Sequence, residues 1–171
     1  MTIFISTMMV TNHFMADERA VRQADLGMDF IAFYAAGDFV REGRINELYD
    51  LKAIKTYEHT VAAEAHQDIG EAFGPWWNPP IYAWVFVPLS HLDFPAAKWI
   101  WTGINIAAAL LAIGLLVRIL GVADWRVWGL IPLLTLTSMP FIAAISHAQN
   151  TCTSLLVLTT AGFLSNLGYR Q

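Results

Sequence analysis

From Val127 to Tyr169 the chain contains no Asp, Glu, Lys or Arg. A soluble domain of ordinary composition is about one-quarter charged, and a charge-free stretch of this length has no face to offer water. A bilayer interior accepts it. The totals agree: 56% of residues are hydrophobic, 14% are charged and the mean hydropathy is +0.47. Charge is also unevenly placed. Twelve of the fourteen acids lie in residues 1–75, and beyond them only Asp93 and Asp124 remain. The chain therefore divides into a polar, acidic first part and an apolar second part. A net charge of −4 without a basic cluster excludes a nucleic-acid partner. The single cysteine, Cys152, lies in an apolar run. It reads as a small buried hydrophobe and supports neither an internal disulfide nor a cysteine zinc site.

The pattern predicts an all-α, polytopic membrane protein of three to five spans. Residues 1–15 are apolar but interrupted by Asn12 and His13. They reach about 22 Å as a helix, against a hydrocarbon core of about 30 Å, so residues 1–24 form a weak or truncated first span with a juxtamembrane helix. Residues 25–78 form an extramembrane loop of amphipathic helices. One starts at Asp29, has its apolar face on Phe30, Phe33, Tyr34, Gly37 and Val40, and stops at Gly43. A second covers 51–72, with a thin stripe of Leu51, Ile54, Tyr57, Val61 and Ala65. Residues 74–80, rich in proline and with Trp76-Trp77 beside an apolar run, mark a membrane interface. Residues 79–171 form transmembrane helices: Trp99–Val117, then spans near 127–145 and 151–168. Pro132 and Pro140 kink the second of these. Ile81–Leu92 holds Pro88 and is too short alone to span. Whether it crosses or dips in and returns decides whether Asp29 and Arg118 share a side.

Several residues are placed to carry chemistry. Asp25 and Asp29 stand four apart, on one helical face, where one carboxylate of a pair acts as a base. The alternative is that Asp29 only caps its helix. Asp38 and Asp50 read as a solvated face and a turn. Arg41 and Arg44, with Lys52 and Lys55, either bind an anionic headgroup or phosphate or neutralise acidic neighbours. His147, Gln149 and Asn150 are costly if they face lipid. They belong at a span end or against an internal cavity, or else in a plain loop. Ser90-His91 and Ser146-His147 lack a nearby acid for a hydrolase triad. No phosphate-binding glycine loop, HExxH or CxxC occurs, so no metal and no cofactor is expected.

Six pieces occur in one order: Asp29-Phe30, Tyr34-Ala35-Ala36-Gly37, Leu48-Tyr49-Asp50, Pro79-Pro80, Val87-Pro88-Leu89 and Gln149-Asn150. Together they resemble glycosyltransferase family 87, the polyprenyl-phosphate-mannose-dependent membrane mannosyltransferases of the C-type superfamily. The resemblance implies a C-type glycosyltransferase-like N-terminal half. It implies transfer of a hexose, mannose, from a polyprenyl-phosphate donor to a hydroxyl acceptor, with Asp29 as general base. The substrate-binding residues it implies, read with the polar groups above, are Tyr34, Arg41, Arg44, Tyr49, Pro79, Pro80, His147, Gln149 and Asn150. Partners would be membrane lipid and the lipid-linked donor, in the bacterial inner membrane. The chain departs from the family in its length, in Ala148 where glycine precedes Gln-Asn, and in Asn78 between the aromatic residues and Pro-Pro. A fragment of a longer enzyme, working with a partner chain, is therefore expected too. The alternative is a non-catalytic membrane protein, a remnant or accessory subunit that binds lipid or a partner.

Overall fold

A computed structural model of the chain describes residues 29–67, 69–121 and 124–168. The expected first span, the juxtamembrane helix and Asp25 lie outside the described residues. Among those described, all regular structure is helical. The helices are α1 (Phe30–Arg41), α2 (Leu51–Glu64), α3 (Pro80–Ala83), α4 (Phe94–Ile119), α5 (Trp125–Leu136), α6 (Met139–Ser146) and α7 (Thr151–Gly168). Short 3-10 turns fill Ile45–Glu47, Trp84–Phe86 and Leu89–His91. The chain forms two compact units, with the boundary inside α4 after Trp101.

In the first unit α1 is the centre. Phe30, Ile31, every residue from Phe33 to Val40, Asp38 included, is buried. The expectation of one apolar face is thus corrected: α1 is covered by α2 on one side and by the Pro80–His91 segment on another. Small residues make this possible. A Cβ at Gly37 would lie 2.6 Å from the backbone C and O of Phe86, so only glycine admits the segment so close. Phe86, fully buried, stacks at 4.9 Å on Phe33 and packs edge-on at 4.8 Å against Trp101. Trp76 packs edge-on against Phe33 at 5.9 Å. Each offset or edge-to-face pair adds roughly 0.5–1.5 kcal/mol to the burial itself.

The helix ends follow local chemistry. Gly43, with φ +74°, ends α1: Arg44 N–H donates to the Phe39 carbonyl at 2.7 Å and Gly43 N–H to Val40 at 3.1 Å. This is a Schellman stop, as the sequence predicts. Asp50 caps α2, its carboxylate accepting from Lys52 N–H at 2.9 Å and Ala53 N–H at 3.2 Å. The predicted helix over 51–72 stops early, at Glu64, because His66 takes φ +55° and closes a second Schellman turn from Gln67 N–H to the Ala62 carbonyl.

The predicted Trp99–Val117 run lies inside α4, which enters the second unit at Thr102 and is long and apolar enough to cross a membrane by length and composition. Its exposed residues include Ile104, Ile106, Leu110, Leu111 and Leu116, the mark of a helix that is apolar on its outer surface. The predicted 127–145 span is two helices bent by 57° at a break. Pro132 sits within α5, while Pro140 opens α6 after the extended Ser138. Pro140 lacks the N–H a continuous helix needs. If the bent pair is one span, two spans pass the length test. α7 covers the predicted 151–168 segment, as a shorter apolar helix. Ala108, Ala109, Ala144 and Cys152 form a small buried cluster with Phe141, Ile145 and Leu156. Thr135, Thr137 and Thr159 return their hydroxyls to carbonyls four residues back, which satisfies polar groups within an apolar helix.

The close approach at Gly37 gives a direct check. Gly37→Ala forces a backbone shift costing about 1–3 kcal/mol, and is expected to lower the thermal midpoint of the purified protein in detergent. Gly103→Ala, in α4 with nothing within 4 Å of the added carbon, is expected to leave the midpoint unchanged or higher. Equal behaviour of the two variants contradicts the packing at Gly37.

Candidate functional site

The polar groups of the first unit cluster where α1 and α2 face each other. Asp38 lies on α1 and is 4% exposed. It is not on a solvated face, which corrects the sequence expectation. It accepts from Arg41 Nε at 2.7 Å and from the Tyr57 hydroxyl of α2 at 2.5 Å. A buried carboxylate needs such partners, because removing it from water without them is costly. Burial first, and then the hydrogen bond to Asp38, push the Tyr57 phenol well above its ordinary range. Burial and the Asp38 charge raise Tyr34 as well.

A cleft of about 470 Å³ opens beside this cluster. Its polar lining includes Tyr34, Asp38, Arg41, Tyr57, Glu64 and Asp93. A second cleft of about 410 Å³ includes Arg44, Asp50, Lys52 and Tyr57 in its lining. Arg44 is held by Glu47 at 2.7 Å and Glu42 at 3.1 Å, with its guanidinium 4.3 Å above the Phe39 ring. Both arginines are thus paired with carboxylates, the neutralising alternative of the sequence reading.

Three residues singled out from the sequence turn out to join separate stretches of chain. The Tyr34 hydroxyl donates to the Leu92 carbonyl at 2.7 Å. The Tyr49 hydroxyl donates to the Asn78 carbonyl at 2.8 Å, immediately before Pro79 and Pro80. Gly37 meets Phe86 between them. The beginning, middle and end of the Asn78–Leu92 stretch are therefore fastened to the region of α1. Pro79 leaves extended backbone (ψ 147°) and Pro80 opens α3, where its missing N–H is no loss.

Asp29 is solvent-exposed and immediately precedes α1. Its side chain makes no capping bond to the helix. The reason lies in its backbone: φ −63°, ψ −18° is already helical, whereas a capping residue takes an extended conformation to aim its oxygen at the first N–H groups. Asp50, at ψ 101°, has that geometry and does cap.

His147, Gln149 and Asn150 lie in the second unit, on the turn from α6 to α7. Ala148 has φ +51° there; its N–H donates to Ile145 at 3.1 Å, and Gln149 N–H to Ala144 at 3.0 Å. The position requires the left-handed conformation that glycine adopts without strain, and alanine bears roughly 1–2 kcal/mol to hold it. His147 and Gln149 are exposed and Asn150 is half-buried.

One residue escapes sequence reasoning. Glu58 is 0% exposed. One of its oxygens accepts from Gly74 N–H at 2.7 Å, and the other, Oε1, has no hydrogen-bond partner. Burial pushes its carboxyl up to about 7, against a smaller downward pull from the Gly74 N–H. The available signal was register: Glu58 follows the buried Ile54 by four and precedes the buried Val61 by three, so it stands on the inner stripe of α2.

The sequence model of glycosyltransferase family 87 matches residues 76–168, more than half of the chain. Pro79, Pro80, His147, Gln149 and Asn150 fall within the match, while Asp29, Tyr34, Arg41, Arg44 and Tyr49 precede it. No curated protein and no solved structure matches.

Glu58 carries a pH prediction. Its folded value, about 7, lies above the unfolded 4.5. Between those values the folded state holds the proton more tightly, so stability falls as pH rises from about 4.5 to about 7, after which the loss is complete. At about 1.4 kcal/mol per unit, the loss reaches about 3.5 kcal/mol. Glu58→Gln is expected to melt higher than the unsubstituted protein at pH 8 and together with it near pH 4.5. A gap independent of pH contradicts the buried-acid assignment.

Proposed function

The chain belongs to glycosyltransferase family 87, and from that membership we propose that it is an integral membrane hexosyltransferase, of the bacterial inner membrane, that uses a polyprenyl-phosphate donor. The match over residues 76–168 carries this reading. The length and composition of α4 support the membrane placement, with α5–α6 as a bent crossing and α7 as a further one. The hexose is mannose, following the resemblance of the six sequence pieces, and the acceptor is a hydroxyl.

Asp29 is the general base. A base must reach its substrate and be held in place, and Asp29 is exposed at the head of the most buried helix of its unit. Its carboxylate takes the proton of the acceptor hydroxyl. The acceptor oxygen then bonds to the anomeric carbon as the bond from that carbon to the phosphate oxygen breaks. Polyprenyl phosphate departs with the bonding pair. A glycosidase needs a second carboxyl group to protonate its leaving alkoxide, but a phosphate leaves as a stable anion, so one carboxylate suffices. The attack and departure lie on opposite faces of the sugar, and the configuration inverts.

The proposed binding residues divide by role. Tyr34 and Tyr49 hold the Asn78–Leu92 stretch to the region of α1 through their hydroxyls, and Pro79 and Pro80 turn that stretch into α3. Arg41 and Arg44 each line one of the two clefts while paired, so a phosphate bound there would compete with their carboxylate partners. His147, Gln149 and Asn150, on the turn from α6 to α7, are the proposed binding residues of the second unit.

The test is transfer of radiolabelled hexose from a defined polyprenyl-phosphate donor by the reconstituted full chain. Asp29→Asn is expected to lower kcat by about 10²–10⁴-fold, the contribution of a positioned base, with KM for the donor little changed. Undiminished turnover in that variant would remove Asp29 from the role.

A further inference from the structure

The Pro80–His91 segment has two faces. Ala83, Phe86 and Leu89 are buried against the first unit. The other face is open and apolar: Ile81 is 78% exposed, Trp84 59% and Val85 52%, and Trp77, just before the segment, is 83% exposed. No Asp, Glu, Lys or Arg occurs from Gly74 to Leu92. Two tryptophans and two aliphatic residues exposed together, with no charge among them, are costly to present to water. The patch is followed by Trp99 and Ile100, exposed at the start of α4, the helix with the length and composition of a span.

We propose that this face lies in the interfacial layer of the phospholipid bilayer, as a re-entrant finger that enters and leaves on one side. This rests on the reading of the chain as an integral membrane protein. The occupant is lipid rather than a protein groove, because the open face is followed along the chain by the exposed Trp99 and Ile100 that begin the span-length helix α4 and tryptophan is the residue of the headgroup boundary. The finger does not cross. Twelve helical residues span about 18–24 Å, short of the roughly 30 Å hydrocarbon core. Both ends are also returned to the same compact unit, Asn78 by the Tyr49 hydroxyl and Leu92 by the Tyr34 hydroxyl. Its broken 3-10 turns leave carbonyls that hydrocarbon would strand and that headgroups and water satisfy. α4 is then the first crossing after Asp29, which places Asp29 and Arg118 on opposite faces of the membrane.

The experiment reads depth. In a Cys152→Ser background, single cysteines are introduced at Ile81, Trp84, Leu111 in the middle of α4, and Lys52 on the exposed side of α2. Each full-length variant carries an environment-sensitive fluorophore in vesicles of phosphatidylcholine and phosphatidylglycerol. Quenching is compared for aqueous iodide, lipids with a nitroxide near the headgroup, and lipids with a nitroxide deep in the chain. Positions 81 and 84 are expected to lose iodide access and to be quenched best by the shallow nitroxide. Position 111 is expected to respond to the deep nitroxide, and position 52 to iodide. Iodide access at 81 and 84 equal to that at 52 would overturn the finger, as would protection from all three quenchers, the result of a covering protein surface. Strongest quenching there by the deep nitroxide would overturn it in favour of a crossing. If position 111 also responds only to iodide, the membrane placement of α4 falls with it, so the two failures are distinguishable.

Discussion

The backbone of Phe86 comes so near α1 that no side chain fits at Gly37, and the first unit depends on that approach. It lets a fully buried Phe86 reach Phe33 and Trp101 together. The tyrosines at 34 and 49 then fasten the two ends of the same segment to carbonyls that would otherwise need other partners. The result is a helix covered on several sides, with Asp29 at its exposed end. The base proposed at that end would gain from such support, since misplacement of about 1 Å costs rate heavily. Sequence pieces that are far apart along the chain are thus parts of one packing arrangement. Tyr34 and Gly37 both act on the segment that follows Pro79-Pro80, and Tyr49 acts on the residue before it.

Where local pattern decides structure, the sequence was legible. α7 coincides with the expected 151–168 segment, Gly43 ends α1, and α4 contains the expected span. Each depends on a run of apolar residues or on one turn residue. Composition and motif order together led to the family that the match over 76–168 shows. Long-range pairing was not legible. Asp38 was assigned to solvent because its partner Tyr57 is nineteen residues away. Glu58 was passed over because the backbone group that receives it, Gly74, comes sixteen residues later. Asp29 and Asp50 both look like helix caps in one dimension. Only their backbone angles separate them, and Asp50 alone makes the bond. The predicted 127–145 span broke because Pro140 follows an extended Ser138, so the second proline began a new helix instead of kinking an old one.

The clefts and the exposed acid suit different tasks. Asp38 is committed to Arg41 and Tyr57, and a carboxylate so engaged is a structural anchor. Glu58 is buried without access. Asp29 is exposed at the head of α1, where the proposed proton acceptor can meet an incoming substrate. Ala148 in a left-handed turn shows where this chain bears local strain at a position that suits glycine.

The central claim is a single displacement at the anomeric carbon driven by one carboxylate. Proton NMR of the product formed by the reconstituted chain from an anomerically pure polyprenyl-phosphate hexose tests it most directly, through the coupling constants that report the new linkage. The account predicts inversion, an α-linked product from a β-linked donor. Retention would require a second nucleophile and a covalent intermediate, and would contradict it.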